Sequence, residues 1–370
     1  MLDRALVLWF PGLRTATGED LAELHLHGGR AVVASVEAAL SGMPELRRAT
    51  PGEFTRRAFA NGVIDLAEAE GLADLLSAET ELQRKAALAL AGGVFSEQVT
   101  DWRTRLLDLS AQVESALDFS DEDDVAALPE QFDERVSFLT RDLTDWLAKP
   151  RAETLREGFR VVIAGPPNAG KSTLINALAE KEVAITAPVA GTTRDVVTAA
   201  IAIEGIPFLL LDTAGLRTTT SDSIEAIGIE RARVALDEAD LVLWLGPEGQ
   251  APQNAWQIEA QIDRGNPPRQ TTPRHRISAV QGTGLDGLRT DLVATARAQM
   301  PKPGEVALNR RQHHLIAEAQ QALSGCFGVG DPLIVAEHLR IARLAFDSLL
   351  GQATTEDMLD TLFARFCIGK

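Results

Sequence analysis

Cysteine is scarce in this chain of 370 residues: only Cys326 and Cys367 occur, far apart. A disulfide-stapled fold is therefore excluded, and there is no CxxC pattern for a metal or redox centre. No apolar run approaches the roughly 18 residues that a membrane span needs. The N-terminus also lacks a charged start followed by an apolar stretch and a cleavage site. Positive charge is in deficit, with 36 Lys and Arg against 53 Asp and Glu and a net charge of −17. That balance argues against general electrostatic binding of nucleic acid, although a local basic patch on one domain could still do it. Together these features predict a cytoplasmic protein with no membrane partner.

The rest of the composition is globular, 45% hydrophobic and 24% charged, and the length suits two or three domains. Leu6 to Phe10 reads as a strand ended by Pro11-Gly12. With few strands near it, it needs a partner, so an earlier start of the chain or pairing with another chain is expected. Helical spacing runs from Ile64 to Phe119, first through Leu66, Ala69, Leu72, Ala73 and Leu76. It breaks at Gly92-Gly93 and resumes through Trp102, Leu106, Leu109, Val113 and Leu117. A third helix is predicted over 129–148, stopped by Pro150.

From Arg160 to Met300 short β-branched runs alternate with helices. Strands are predicted at 160–164, 198–203, 208–211, 241–245 and 276–278. Beyond Pro301-Lys302-Pro303-Gly304 the pattern is helical again, at 307–323, 332–350 and 355–366. The simplest architecture is an α/β domain inserted into a helical domain whose halves flank it.

Gly165-Pro-Pro-Asn-Ala-Gly170-Lys171-Ser172 matches GxxxxGK[ST] between a predicted strand and a predicted helix, the context that motif requires. Its glycines let backbone N–H groups turn toward phosphate oxygens, Lys171 reaches the β and γ phosphates, and the Ser172 hydroxyl can ligate Mg²⁺. Downstream, an apolar strand ends in Asp212-Thr213-Ala214-Gly215. Asp212 can hold Mg²⁺ through water, and the Gly215 N–H can meet the γ phosphate. Between them, Gly191-Thr192-Thr193-Arg194-Asp195 supplies a threonine able to complete the metal shell. Leu216 stands where Ras-like enzymes carry a water-orienting Gln. Glu225 is the nearest carboxylate candidate for that task, and a solvated helix-start residue is the alternative reading of it.

These motifs resemble one family, the tRNA-modification GTPases MnmE (also called TrmE). The resemblance spans GPPNAGKST (165–173), AGTTRD (190–195), DTAGLR (212–217), IEAIGIERA (224–232) and the terminal Phe366-Cys367-Ile368-Gly369-Lys370. TGEDLAELHLHGG (17–29) and TPGEFTRRAFANGVIDLAEAEGLADLL (50–76) extend it toward the N-terminus. It implies a Ras-like P-loop GTPase domain inserted into a discontinuous helical domain, with a remnant of an N-terminal α/β folate-binding domain. The expected divisions are 1–60 for the partial folate-binding and dimerisation domain, 61–155 for the first helical part, 156–300 for the G domain, and 301–370 for the second helical part with its CxGK end. The family begins several dozen residues earlier, so a truncated start is expected.

The resemblance further implies K⁺-dependent dimerisation of G domains during hydrolysis. Asn168 would ligate K⁺ together with oxygens of Ala187, Val189 and Thr192, Ser172 and Thr193 would hold Mg²⁺, and Glu225 would orient water. The nucleotide-contacting set is Asn168, Ala169, Gly170, Lys171, Ser172 and Thr173, then Ala187, Pro188, Val189, Ala190, Gly191, Thr192 and Thr193, then Asp212, Thr213, Ala214 and Gly215. The family reaction is modification of the wobble uridine of certain tRNAs at C5, of the carboxymethylaminomethyl type. An FAD-dependent partner, the GidA/MnmG protein, takes part in a heterotetramer with the homodimer, and a tetrahydrofolate derivative supplies one carbon. Glu23 and Lys370 match folate-contacting positions, and Cys367 a possible one-carbon site; outside that motif Cys367 would read as an ordinary buried thiol.

Three departures bear on the site, one of them in the K⁺ loop, where Ala187 and Pro188 stand in place of the family's more usual polar residues. Val63 stands where the family has a folate-site lysine. No [NT]KxD occurs between Leu245 and Ser278; the best alignment is Ala260-Gln261-Ile262-Asp263. Asp263 is then the guanine reader, with Ser278-Ala279 as the last base-contacting motif. Without the Asn and Lys the loop is expected to lose its packing onto the phosphate loop. A catalytically degenerate nucleotide-binding scaffold that docks the FAD-dependent partner is the alternative function.

Overall fold

The computed structural model describes residues 1–118, 128–180, 182–185, 198–212, 234–236, 238–265, 267–302, 304–329, 331–353, 355–364 and 366. In chain order the elements are strands β1 (Leu6–Phe10) and β2 (Leu21–His25) and helices α1 (Arg30–Ser41), α2 (Glu53–Ala60), α3 (Leu66–Leu76), α4 (Glu81–Ala91), α5 (Val94–Asp118), α6 (Phe132–Leu147) and α7 (Ala152–Glu157). Then follow β3 (Phe159–Ala164), α8 (Lys171–Ala179), β4 (Val183–Ala184), β5 (Thr198–Ile203), β6 (Ile206–Asp212), β7 (Leu241–Trp244), β8 (Trp256–Glu259) and β9 (His275–Arg276). Helices α9 (Leu285–Gln299), α10 (Arg310–Ser324), α11 (Pro332–Leu350) and α12 (Glu356–Phe363) complete the chain. They fall into two units, one of residues 1–77, 87–148 and 312–370, the other of 78–86 and 149–311.

The first unit is built on α5. Phe95, Val99, Trp102, Leu106, Leu109, Val113 and Ala116 recur every three or four residues and are all buried, which gives the helix one apolar stripe. Against it lies α11, whose Asp331 caps the first turn through the Leu333 N–H at 2.9 Å, with Pro332 at the first helical position. The Trp102 ring sits 5.6 Å from Trp146 edge-on and 5.8 Å from Phe346. Arg103 bonds Asp347 at 2.7 Å beside this contact. Helix α11 stops at Gly351, whose φ of +86 and approach to the Phe59 ring leave no room for a Cβ. Leu76, expected on the buried face, is exposed; Ala67 and Gly71 are buried in α3 instead. Leu117 is only half-buried, and Ala116 takes the inward place. The strand at Leu6–Phe10 finds its partner within the chain: β1 pairs antiparallel with β2, Leu8 opposite Glu23.

The second unit is a seven-stranded sheet in the order β4-β5-β6-β3-β7-β8-β9. Strands β6, β3, β7, β8 and β9 run parallel, while β4 and β5 are antiparallel at one side. Parallel strands are covered on both faces, so β3 reads as a nearly continuous apolar run. Phe159, Val161, Val162, Ile163 and Ala164 are all buried. Arg160 is the exception, its guanidinium held at 2.6 Å by both Glu157 and Glu238. Val161, Ile163, Phe208, Leu210 and Leu243 share one core with Leu174 and Leu178 of α8 and Leu288 and Leu292 of α9. The chain enters and leaves side by side, the Ala152 N–H bonding the Leu308 carbonyl at 2.9 Å. A unit whose ends meet in this way can be inserted into another without separating its halves.

Candidate nucleotide site

In an open parallel sheet, ligands bind beyond the carboxyl ends of the strands. Here β3, β6 and β8 each end in residues expected at the site. Gly165 leaves β3 with a φ of +150 that brings its Cα against the backbone of Leu245 and Gly246. Asn168 follows at φ +60 and Gly170 at φ +99, so the chain turns tightly before α8 begins at Lys171. The first-turn N–H groups of a helix have no intrahelical acceptors and favour an anion.

Lys171 is only 5% exposed, so its ammonium needs partners. It donates to the carbonyls of Gly165 at 3.1 Å and Pro166 at 2.9 Å, and the loop thereby holds a positive charge at its own centre. Ser172 and Thr173 are exposed on the same turn, whereas Ala169 packs into the core. On the neighbouring strand Asp212 is fully buried and accepts the Ser172 hydroxyl at 2.5 Å. A hydroxyl and a carboxylate converging beside a phosphate loop are the hard oxygen donors that suit Mg²⁺, so the residues fit that ion. Among the described residues no cluster of three His, Cys, Asp or Glu side chains forms another metal site.

The residues expected on the base side follow β8 and β9. Asp263 lies exposed in a short 3₁₀ turn, and its Oδ1 accepts the Ser278 hydroxyl at 2.6 Å. That bond, helped by the backbone N–H and Arg264, holds the Asp263 carboxyl below the usual carboxylate range. Ser278 is fully buried and is itself fixed by the Gln281 N–H at 3.1 Å, while Ala279 beside it is half-buried. One bond still links this loop to the phosphate loop in the absence of the expected Asn and Lys. Gln261 Nε2 donates to the Asn168 carbonyl at 3.1 Å. The sequence gives Gln261 no role of its own; the signal for this contact is a side-chain amide two places before Asp263.

Several expected residues lie outside the described residues: Ala187, Pro188, Val189, Ala190, Gly191, Thr192, Thr193, Thr213, Ala214, Gly215, Glu225, Cys367 and Lys370. Of the K⁺ set, Asn168 is described and exposed. Glu23 sits half-buried on β2, 2.9 Å from the His25 ring nitrogen. Val63 is exposed.

A buried phosphate-loop lysine, a serine and carboxylate paired for a metal, and a braced aspartate on the base side define the class: a P-loop domain of the GTPase type. Two family models account for most of the chain. One described as the MnmE helical domain matches residues 66–367, and one described as the GTP-binding protein TrmE N-terminus matches residues 1–63. A tRNA modification GTPase MnmE of Erythrobacter litoralis is 62% identical over 369 residues, spanning 100% of this chain and 87% of the relative. Another so named, of Novosphingobium aromaticivorans, is 59% identical over 380 residues with the same coverages. The chain belongs to the MnmE (TrmE) family.

Proposed function

We propose that this protein binds and hydrolyses GTP in the service of tRNA modification. The observation that carries the reading is Lys171, buried and held at the centre of the phosphate loop beside the Ser172–Asp212 pair. Lys171 and the N-terminus of α8 take the β and γ phosphates, and Asp263 accepts from the N–H groups of guanine. Adenine lacks those donors, and the braced carboxylate selects against it. Ser172 and Thr193 directly, and Asp212 through water, would hold Mg²⁺, which would supply positive charge to the phosphates; water adds to the γ phosphorus, the bond to the β–γ bridging oxygen breaks, and GDP and phosphate leave.

The finer parts of the proposal rest on the family. Glu225 orients the attacking water, and Asn168 with the oxygens of the 187–192 loop would hold the K⁺ that accompanies dimerisation of two G domains. The tRNA change is at C5 of the wobble uridine, carried out with the FAD-dependent GidA/MnmG protein and a tetrahydrofolate derivative contacted by Glu23 and Lys370, with Cys367 at the one-carbon site. Steady-state hydrolysis of GTP in K⁺ and in Na⁺ at equal ionic strength, with ATP as control, tests the GTPase and K⁺ parts. Turnover of GTP alone, raised by K⁺, is expected. Equal turnover of ATP would remove the guanine reading, and no turnover in either salt would leave a nucleotide-binding scaffold.

A further inference from the structure

The geometry points to Gln261 as a positioning residue that ties the base-reading loop to the phosphate loop. The inference rests on the nucleotide reading above and deepens it. Two loops from different strands must hold one ligand, Asp263 at its base and residues 165–173 at its phosphates. Affinity depends on their spacing being set before the ligand arrives. The base loop is anchored on its own side by the Ile262 N–H to the Ile277 carbonyl at 3.4 Å and by Ser278 on Asp263. Toward the phosphate loop the described bond is the Gln261 amide on Asn168.

Local backbone geometry aims that amide. Gln261 has a φ of +61 and starts the turn that carries Asp263, so its side chain leaves the loop on the phosphate-loop side. It lies across Gly170, where an added Cβ would stand 3.2 Å from Nε2 and 3.3 Å from Cγ. Gly170 is thus wanted twice, for its positive φ and for the close approach of Gln261. The strut is neutral: it fixes spacing by donating to a carbonyl and adds no charge next to the phosphates. A lysine at this place can donate to the same carbonyl and also attract the ligand, whereas a glutamate offers only acceptors to an acceptor.

Three variants of the full chain separate these roles. Gln261→Glu keeps the shape and loses the donor, Gln261→Ala loses both, and Gln261→Lys restores the donor with a charge. With fluorescent GDP in Mg²⁺ buffer, Gln261→Ala should weaken binding about three- to tenfold, the worth of one hydrogen bond. Gln261→Glu should weaken it at least as much, and Gln261→Lys should match or exceed the parent. At saturating GTP, kcat should stay within about twofold in all three, so the change falls on KM. GDP binding within twofold of the parent in Gln261→Glu, or Gln261→Lys as weak as Gln261→Ala, would overturn the strut. ADP binding the parent as well as GDP would instead defeat the guanine reading, while parallel loss of both nucleotides in Gln261→Glu would still support the strut.

Discussion

On the proposed nucleotide reading the phosphate loop and the base-side loop face the same ligand, yet one is conspicuous in the sequence and the other is not. The difference lies in how many residue types can do each task. The phosphate side needs left-handed backbone at Gly170, close backbone approach at Gly165 and a long cation that reaches inward, Lys171. Few residues satisfy those demands, so the motif is intact. The base side needs a carboxylate held in place and a donor across to the neighbouring loop. Asp263 braced by Ser278 supplies the first and Gln261 the second. Because an amide can replace an ammonium there, the pattern erodes while the geometry survives.

The comparison breaks most visibly at Lys171. Lys171→Ala removes the charge that the loop is built around, and GTP turnover is expected to fall by about 10²–10³-fold or more, as for loss of one preorganised charge-stabilising group. Turnover at saturating GTP measures it, and a loss under tenfold would place the decisive charge elsewhere. Asp263→Asn is the sharper test on the base side. The amide turns a donor toward guanine N–H groups, so GDP affinity should drop about ten- to a hundredfold, the cost of losing hydrogen bonds to a charged group. ADP affinity should hardly move, so the ratio of the two carries the result. If GDP and ADP weakened equally, Asp263 would be supporting the loop and not reading the base.

How much of this was legible follows the same logic. Strand β3, the phosphate loop and Asp212 were readable because a buried parallel strand is apolar throughout and the glycine positions tolerate little else. Strand β8 was missed because its Gln257 and Glu259 break the expected pattern; Glu259 is buried and accepts from the backbone N–H groups of Arg269 at 2.9 Å and Gln270 at 3.0 Å. Helices α1 and α2 escaped for another reason: each starts at a glycine, Gly29 and Gly52, with no side-chain cap to announce it. By contrast Asp65 and Glu68 form a capping box that fixes the start of α3, in a stretch already read as helical. Strand β2 was hidden because Glu23 and His25 lie on a two-stranded ribbon whose apolar side chains, Trp9 among them, stay largely exposed, so burial imposed no alternation.

The smallest effect expected separates the charge on Asp263 from its mere presence. Ser278 donates to the carboxylate, which favours the ionised form, and the carboxyl is held below its usual range chiefly by that bond. Guanine needs the ionised form, because only it accepts both N–H groups. Near pH 7 the carboxylate is charged with or without Ser278, so Ser278→Ala should weaken GDP binding only about two- to fivefold, through loss of the brace. As pH falls toward the ordinary aspartate range near 4, the two proteins should diverge. The parent keeps its carboxylate charged to lower pH and keeps its affinity, whereas in Ser278→Ala the carboxyl titrates nearer its usual range and affinity starts to fall at higher pH. The bond's contribution to folding has the same sign, present above the usual carboxylate range and lost as pH falls below it. Binding of GDP followed from pH 7 to pH 4.5 reads the offset directly. Superimposable profiles would mean that Ser278 only positions Asp263 and does not favour its ionised form.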